Sequence, residues 1–158
     1  MRRTRHVKPG GWVEVQEMIH IPFTVHDDGY LPEDHPVAHF WSLIREGLAA
    51  CGVDSEVLEG GGIANKMRRA GFVEVTERTI QIPIGTWPKN KALKTVGLFW
   101  RTILIDGLQA LALGPLTRGL KWTRERVEVF LMAVRRAYQD NAALMYMPMH
   151  IVYGQKPR

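Results

Sequence analysis

Trp12-Val13-Glu14-Val15-Gln16-Glu17 carries a two-residue alternation, with Val13 and Val15 on one side, and this predicts a strand entered through the turn Lys8-Pro9-Gly10-Gly11. Met18 to Asp34 holds two prolines, two adjacent aspartates and Gly29 without a lasting period, so it predicts a loop after the strand's C-terminal end. Open α/β sheets bind their ligands at such ends. The period then changes. Pro36 suits a first helical turn, and Val37, Phe40, Trp41, Ile44, Leu48 and Cys51 recur at helical spacing until Gly52. That spacing puts Cys51 on the apolar stripe, as a core residue.

Ile63 to Ala70 predicts a short helix closed by Gly71 in the left-handed region. Phe72-Val73-Glu74-Val75-Thr76-Glu77 follows as a second strand running towards Ile82, and Pro83 to Asn90 is turn chemistry. Leu93, Val96, Trp100, Leu104, Leu108 and Leu111 mark a long helix ended by Gly114-Pro115. Thr123 is the expected N-cap of another, with Glu125 in its first turn and Val127, Phe130, Leu131, Val134 and Tyr138 as its stripe. Met145 to Tyr153 predicts a terminal strand. Three strands separated by helical segments imply an α/β arrangement.

Composition narrows the class. The chain has 158 residues, 46% hydrophobic and 23% charged, which suits one globular domain. Arg101 and Asp106 interrupt the apolar stretch Leu98 to Leu113, so no uninterrupted membrane-spanning run is predicted. A single cysteine cannot form an internal disulfide, which points to a reducing compartment, cytoplasm or nucleus. The net charge is +5, but the basic residues fall in separated groups without a nucleic-acid motif, and a nucleic-acid partner is not predicted.

His20, His26, Asp27, Asp28, His35 and His39 lie close in sequence, yet no recognised metal-ligand spacing joins them, and no metal site is predicted. Cys51 lacks a partner base. A helix-like segment leads into Gly60-Gly61-Gly62 where a phosphate cradle needs a strand, so the triplet reads as a loop. Glu17 stands at the C-terminal end of the first strand, where a carboxylate can face a ligand. The substrate-cleft residues predicted are therefore Glu17, His20, Asp27 and Asp28, and no catalytic residue is assigned.

Val7-Lys8-Pro9-Gly10-Gly11-Trp12-Val13-Glu14-Val15-Gln16-Glu17 resembles a strand of class I S-adenosylmethionine-dependent methyltransferases. Asp27-Asp28-Gly29-Tyr30-Leu31-Pro32-Glu33-Asp34, Ala70-Gly71-Phe72-Val73-Glu74-Val75, Pro83-Ile84-Gly85-Thr86-Trp87-Pro88-Lys89 and Val152-Tyr153-Gly154-Gln155-Lys156-Pro157 are similar to successive blocks of a largely fungal family of these enzymes, some of them regulators of secondary metabolism. The resemblance implies a partial Rossmann-like fold in which residues 1–158 form the C-terminal half. Strand five lies at 12–17, six at 72–78 and seven near 147–154, with a helical insertion at about 90–138. The complete fold would use S-adenosylmethionine to methylate a small-molecule or protein acceptor. The glycine-rich motif that holds the cofactor in the family is absent, so the chain alone is expected to bind none and to be inactive. The alternative is a non-catalytic interaction module that joins a protein partner through an exposed strand edge or its helices.

Overall fold

The computed structural model describes residues 6–26, 29–53 and 62–158. Among them the chain is mixed α/β, with four α-helices and an open antiparallel sheet. The elements are β1 (Trp12–Met18), β2 (Phe23–Thr24), α1 (Pro36–Ala50), α2 (Gly62–Arg69), β3 (Val73–Pro83), α3 (Lys91–Leu113), a π-helical segment (Gly114–Gly119), α4 (Arg124–Gln139) and β4 (Met145–Gln155). They fall into two compact units. One holds residues 6–19, 62–80 and 148–158, the other 20–26, 29–53 and 81–147.

In the first unit β4 lies between β1 and β3. It runs antiparallel to β1, in a register that sets Val13 opposite Gly154, Val15 opposite Val152 and Glu17 opposite His150. The alternation read from the sequence is the reason: Val13, Val15 and Glu17 are partly covered, and Trp12, Glu14 and Gln16 are exposed. α2 seals the covered face, its Ala64 and Met67 packing with Phe72 and Val152. A side chain at 154 would crowd Val75, Met67 and Phe72, so glycine lets α2 and β3 close over β4. Gly71, at φ +89°, ends α2 while Phe72 donates its N–H to the Met67 carbonyl, as the sequence predicts.

In the second unit the core is helical. Val37, Phe40, Trp41 and Ile44 of α1 are buried with Leu104, Leu108 and Ala112 of α3, Leu116 of the π segment, and Val127, Leu131, Val134 and Tyr138 of α4. Caps fix the ends: Asn90 accepts from the Leu93 N–H and Thr123 from the Arg126 N–H. At α4's first turn, hydrogen bonds from its own backbone N–H and from Thr123 hold the Glu125 carboxyl below its ordinary range.

Four expectations need correction. The loop predicted over Met18 to Asp34 contains β2, which pairs Phe23 with Tyr146 and Thr24 with Met145; two residues are too short to leave a period in the sequence. Gly114-Pro115 does not end the long helix. The chain widens there into π geometry, in which the Leu120 N–H reaches the Pro115 carbonyl five residues back. Cys51 is the C-cap of α1 and is exposed rather than in the core, because the helix stops one residue before its stripe would return. The helix Lys91–Gly119 also reaches the length and overall apolarity of a spanning segment despite Arg101 and Asp106, with only 22% of its most apolar window buried.

Candidate functional site

α1 and the segment before it build a pocket of 440 Å³ in the second unit. Ala38, Trp41, Ser42 and Arg45 recur at 38, 41, 42 and 45, one face of a helix, and with His39 they line it from α1. Ile21, Pro22, Tyr30, Leu31 and Glu33 line it from the residues before that helix. Pro36 starts α1, and the His35 ring accepts the Val37 N–H at 3.3 Å as its N-cap. Burial lowers the pKa of His35 below its ordinary 6.5, against the opposing pull of Asp140 and Asp34.

On α1, the Trp41 indole N–H donates to the Tyr138 hydroxyl at 2.8 Å, locking the ring's edge into the core. Burial pushes the Tyr138 pKa far up, so that hydroxyl stays neutral while it accepts this bond. His20 stacks on Trp41 with centroids 5.1 Å apart and planes 10° from parallel. On the loop side, Phe23 packs between Tyr30 and Tyr146, at 5.3 and 5.7 Å. Thr24 ties β2 down through a 2.6 Å hydrogen bond to the Ala143 carbonyl.

The predicted cleft residues part company here. His20 touches the pocket's Trp41. Glu17 belongs to the first unit, where it stands opposite His150, and His150 bonds Glu77 at 2.8 Å. The register thus makes a row of Glu17, His150 and Glu77 that sequence reasoning missed; the signal available was His150 in a strand able to pair with β1. Asp27 and Asp28 lie outside the described residues, as do Gly60 and Gly61. The four clustered histidines have separate tasks: His20 stacks, His26 bonds the Ala142 carbonyl, His35 caps and His39 meets the Phe130 edge. Among the described residues no group of three metal-ligating side chains converges. Ser42, Arg45 and Glu33 were not singled out from the sequence, since surface polar positions on a helix and loop carry no motif.

Among the described residues, the glycine that follows β3 does not form a nucleotide cradle. Gly85, just after β3 at φ +98°, bonds its N–H to the Gly97 carbonyl, and a Cβ at 97 would collide with the Gly85 carbonyl. This close approach seats α3 on the turn. It leaves no strand–glycine–helix arrangement among the described residues that would fit S-adenosylmethionine.

No family model matches the chain. Over 154 residues, 96% of its length, it is 31% identical to "Methyltransferase pytC" of Aspergillus terreus and covers 46% of that protein. It is 31% identical over 94% of its length to "Probable methyltransferase tdiE" of Emericella nidulans, covering 46% of it. It is 20% identical over 96% of its length to "Secondary metabolism regulator laeA" of Emericella nidulans, covering 40%. The chain thus spans about half the length of the curated relatives it matches.

Proposed function

On the premise that this chain matches a fungal family of S-adenosylmethionine-dependent methyltransferases, we propose that residues 1–158 supply the acceptor-binding half of such an enzyme. The observation that carries the reading is the strand arrangement of the first unit. A strand that lies between two others and runs antiparallel to its neighbour is what the family's strand seven does between five and six, so β1, β4 and β3 take the places of strands five, seven and six. α3 and α4 take the place of the helical insertion between strands six and seven.

In the complete fold S-adenosylmethionine would supply the methyl group and leave as S-adenosylhomocysteine, while the protein would chiefly orient it and the acceptor. This chain's own contribution is the acceptor's seat, the pocket beside α1, where Trp41 is held rigid by Tyr138. No arrangement suited to the cofactor stands among the described residues, and the chain is expected not to bind it alone. The site of action is the cytoplasm or nucleus.

A second reading is favoured by one specific observation. The side of β1 away from β4 has no paired strand among the described residues, and such an edge invites another chain. A non-catalytic module that joins a protein partner along this edge would use it.

Titration calorimetry of the folded chain with S-adenosylmethionine and S-adenosylhomocysteine tests the first reading. No saturable heat is expected from the chain alone. Saturable micromolar binding, about −8 kcal/mol, would overturn the absence of a cofactor site. Co-expression with the remaining part of a full-length relative is expected to restore S-adenosylhomocysteine binding, and a folded pair that binds none removes the half-enzyme reading in favour of the module.

A further inference from the structure

The uncovered side of α3 is patterned. Ala92, Val96, Phe99, Ile103, Asp106, Ala110 and Leu113 follow one another at alternating gaps of four and three residues, and none of them is buried. Gly97, Leu104, Leu108 and Ala112, on the other side, are the residues that α3 buries. A line of apolar residues with that repeat is the seam a helix offers to another helix.

The charge around this line is one-sided. Residues 89–139, which contain α3 and α4, hold ten Lys and Arg against three Asp and Glu, a net +7, while the rest of the chain holds 11 against 13, a net −2. Lys89, Lys91 and Lys94 stand at the start of α3, the end at which the helix dipole opposes cations, and its first turn holds no acid. Among the described residues none of these lysines has a carboxylate partner. They do nothing for the helix that carries them, and acids supplied from outside would complement them.

Three occupants compete for such a face, and the charges choose among them. A second copy would bring +7 against +7. A bilayer would have to take Asp106 in the middle of the apolar line, and anionic lipids would repel it. A helix of another protein can answer Asp106 with one basic side chain and the lysines with acids.

We propose that α3 binds an acidic amphipathic helix of another protein along the line from Ala92 to Leu113. This surface is separate from the β1 edge, and the proposal holds whether or not the chain takes part in methyl transfer.

The probe is a helical peptide of about 24 residues, long enough to follow the line, with leucine at the same four-and-three spacing and glutamate on its other faces. It is titrated into the folded 158-residue chain and followed by calorimetry and backbone amide shifts. A Kd of about 10 μM or tighter is expected, with shifts concentrated at 96, 99, 103 and 110. Binding should weaken at least about tenfold for a scrambled peptide, for one with lysine in place of each glutamate, and for the double variant Phe99→Ser with Ile103→Ser, a tenfold step being 1.4 kcal/mol. Val25→Ser, at another exposed apolar site, should leave binding unchanged. No binding by a folded chain, shifts clustered elsewhere, equal affinity for either comparison peptide, an undiminished double variant or a weakened Val25→Ser overturns the proposal. So does self-association of the chain in sedimentation, or its retention on phosphatidylcholine vesicles with about 30% phosphatidylserine, if the double variant abolishes it; the occupant is then a second copy or a membrane. Should the double variant fail to fold, Phe99→Ala and the shift map decide.

Discussion

α1 and α3 are both apolar helices with side-chain N-caps, yet they answer different demands. α1 spends its apolar residues on one side: Val37, Phe40 and Ile44 are buried against the π segment and α4, and polar residues occupy much of the rest. α3 has a second apolar stripe. Gly97, Leu104, Leu108 and Ala112 are buried, but Val96, Phe99 and Ile103, on the opposite face, stay 43%, 64% and 58% exposed. A helix with apolar residues all round belongs in an interior. α1 is therefore a finished element of this chain, whereas α3 is finished only on the side that meets α4 and the π segment.

Replacing one phenylalanine in each helix breaks the comparison most sharply. Phe40→Ala, at a fully buried site, should cost about 3–5 kcal/mol in chemical unfolding, while Phe99→Ala should change stability by no more than about 0.5 kcal/mol. A large loss for Phe99→Ala would mean that its stripe is packed in solution, and a concentration-dependent midpoint would identify self-association as the cause.

Gly47→Ala comes next. Its added Cβ would sit 2.5 Å from the Pro115 carbonyl, against backbone that cannot swing away, and a loss of about 1–3 kcal/mol is expected. A neutral result would show that α1 and the π segment separate easily. Tyr138→Phe removes the acceptor of the Trp41 indole N–H and leaves a buried donor unsatisfied, so about 1–2 kcal/mol should be lost. Equal stability would indicate that water reaches Trp41.

The smallest effect is a pH dependence at the start of α1. Burial depresses the His35 pKa in the folded state below its ordinary 6.5, so the neutral ring is the form the fold favours. Its contribution is complete above about pH 6.5 and is lost as the pH falls below that value, where the unfolded chain takes up a proton and the folded chain resists it. The melting temperature should decline below pH 6.5 more steeply in the wild type than in His35→Asn, which keeps a capping side chain without the titration. Parallel profiles would remove His35 as the source.

How far the sequence foretells these features follows from their range in the chain. α1, α3, α4 and the strands at 12 and 73 are written in local periods, and Pro36, Gly71 and Thr123 mark their ends by backbone rules that act within a few residues. Cys51 was misplaced because a period does not announce its last member. The π segment is missed because Gly-Pro is a sound local stop, and the distant Gly47, which leaves room for Pro115, lets the chain continue against α1. The pocket needs residues 21–22 and 30–33 to meet residues of α1 between 38 and 45, a match between stretches that carry no motif. His20 stacks on a residue that lines the pocket, whereas the partnership of Glu17 with His150 depends on a strand pairing across the length of the chain.

The glycine contact also acts as a fulcrum. Gly47 and Gly119 bring α1 and the π segment together backbone to backbone, and Ser42 stands five residues earlier on the same rigid rod, about 7–8 Å along its axis. Any tilt of α1 about that point moves the pocket residues that α1 carries relative to those that precede it. Side-chain bulk introduced at 47 or 119 should thus alter what the pocket admits without touching a single residue that lines it.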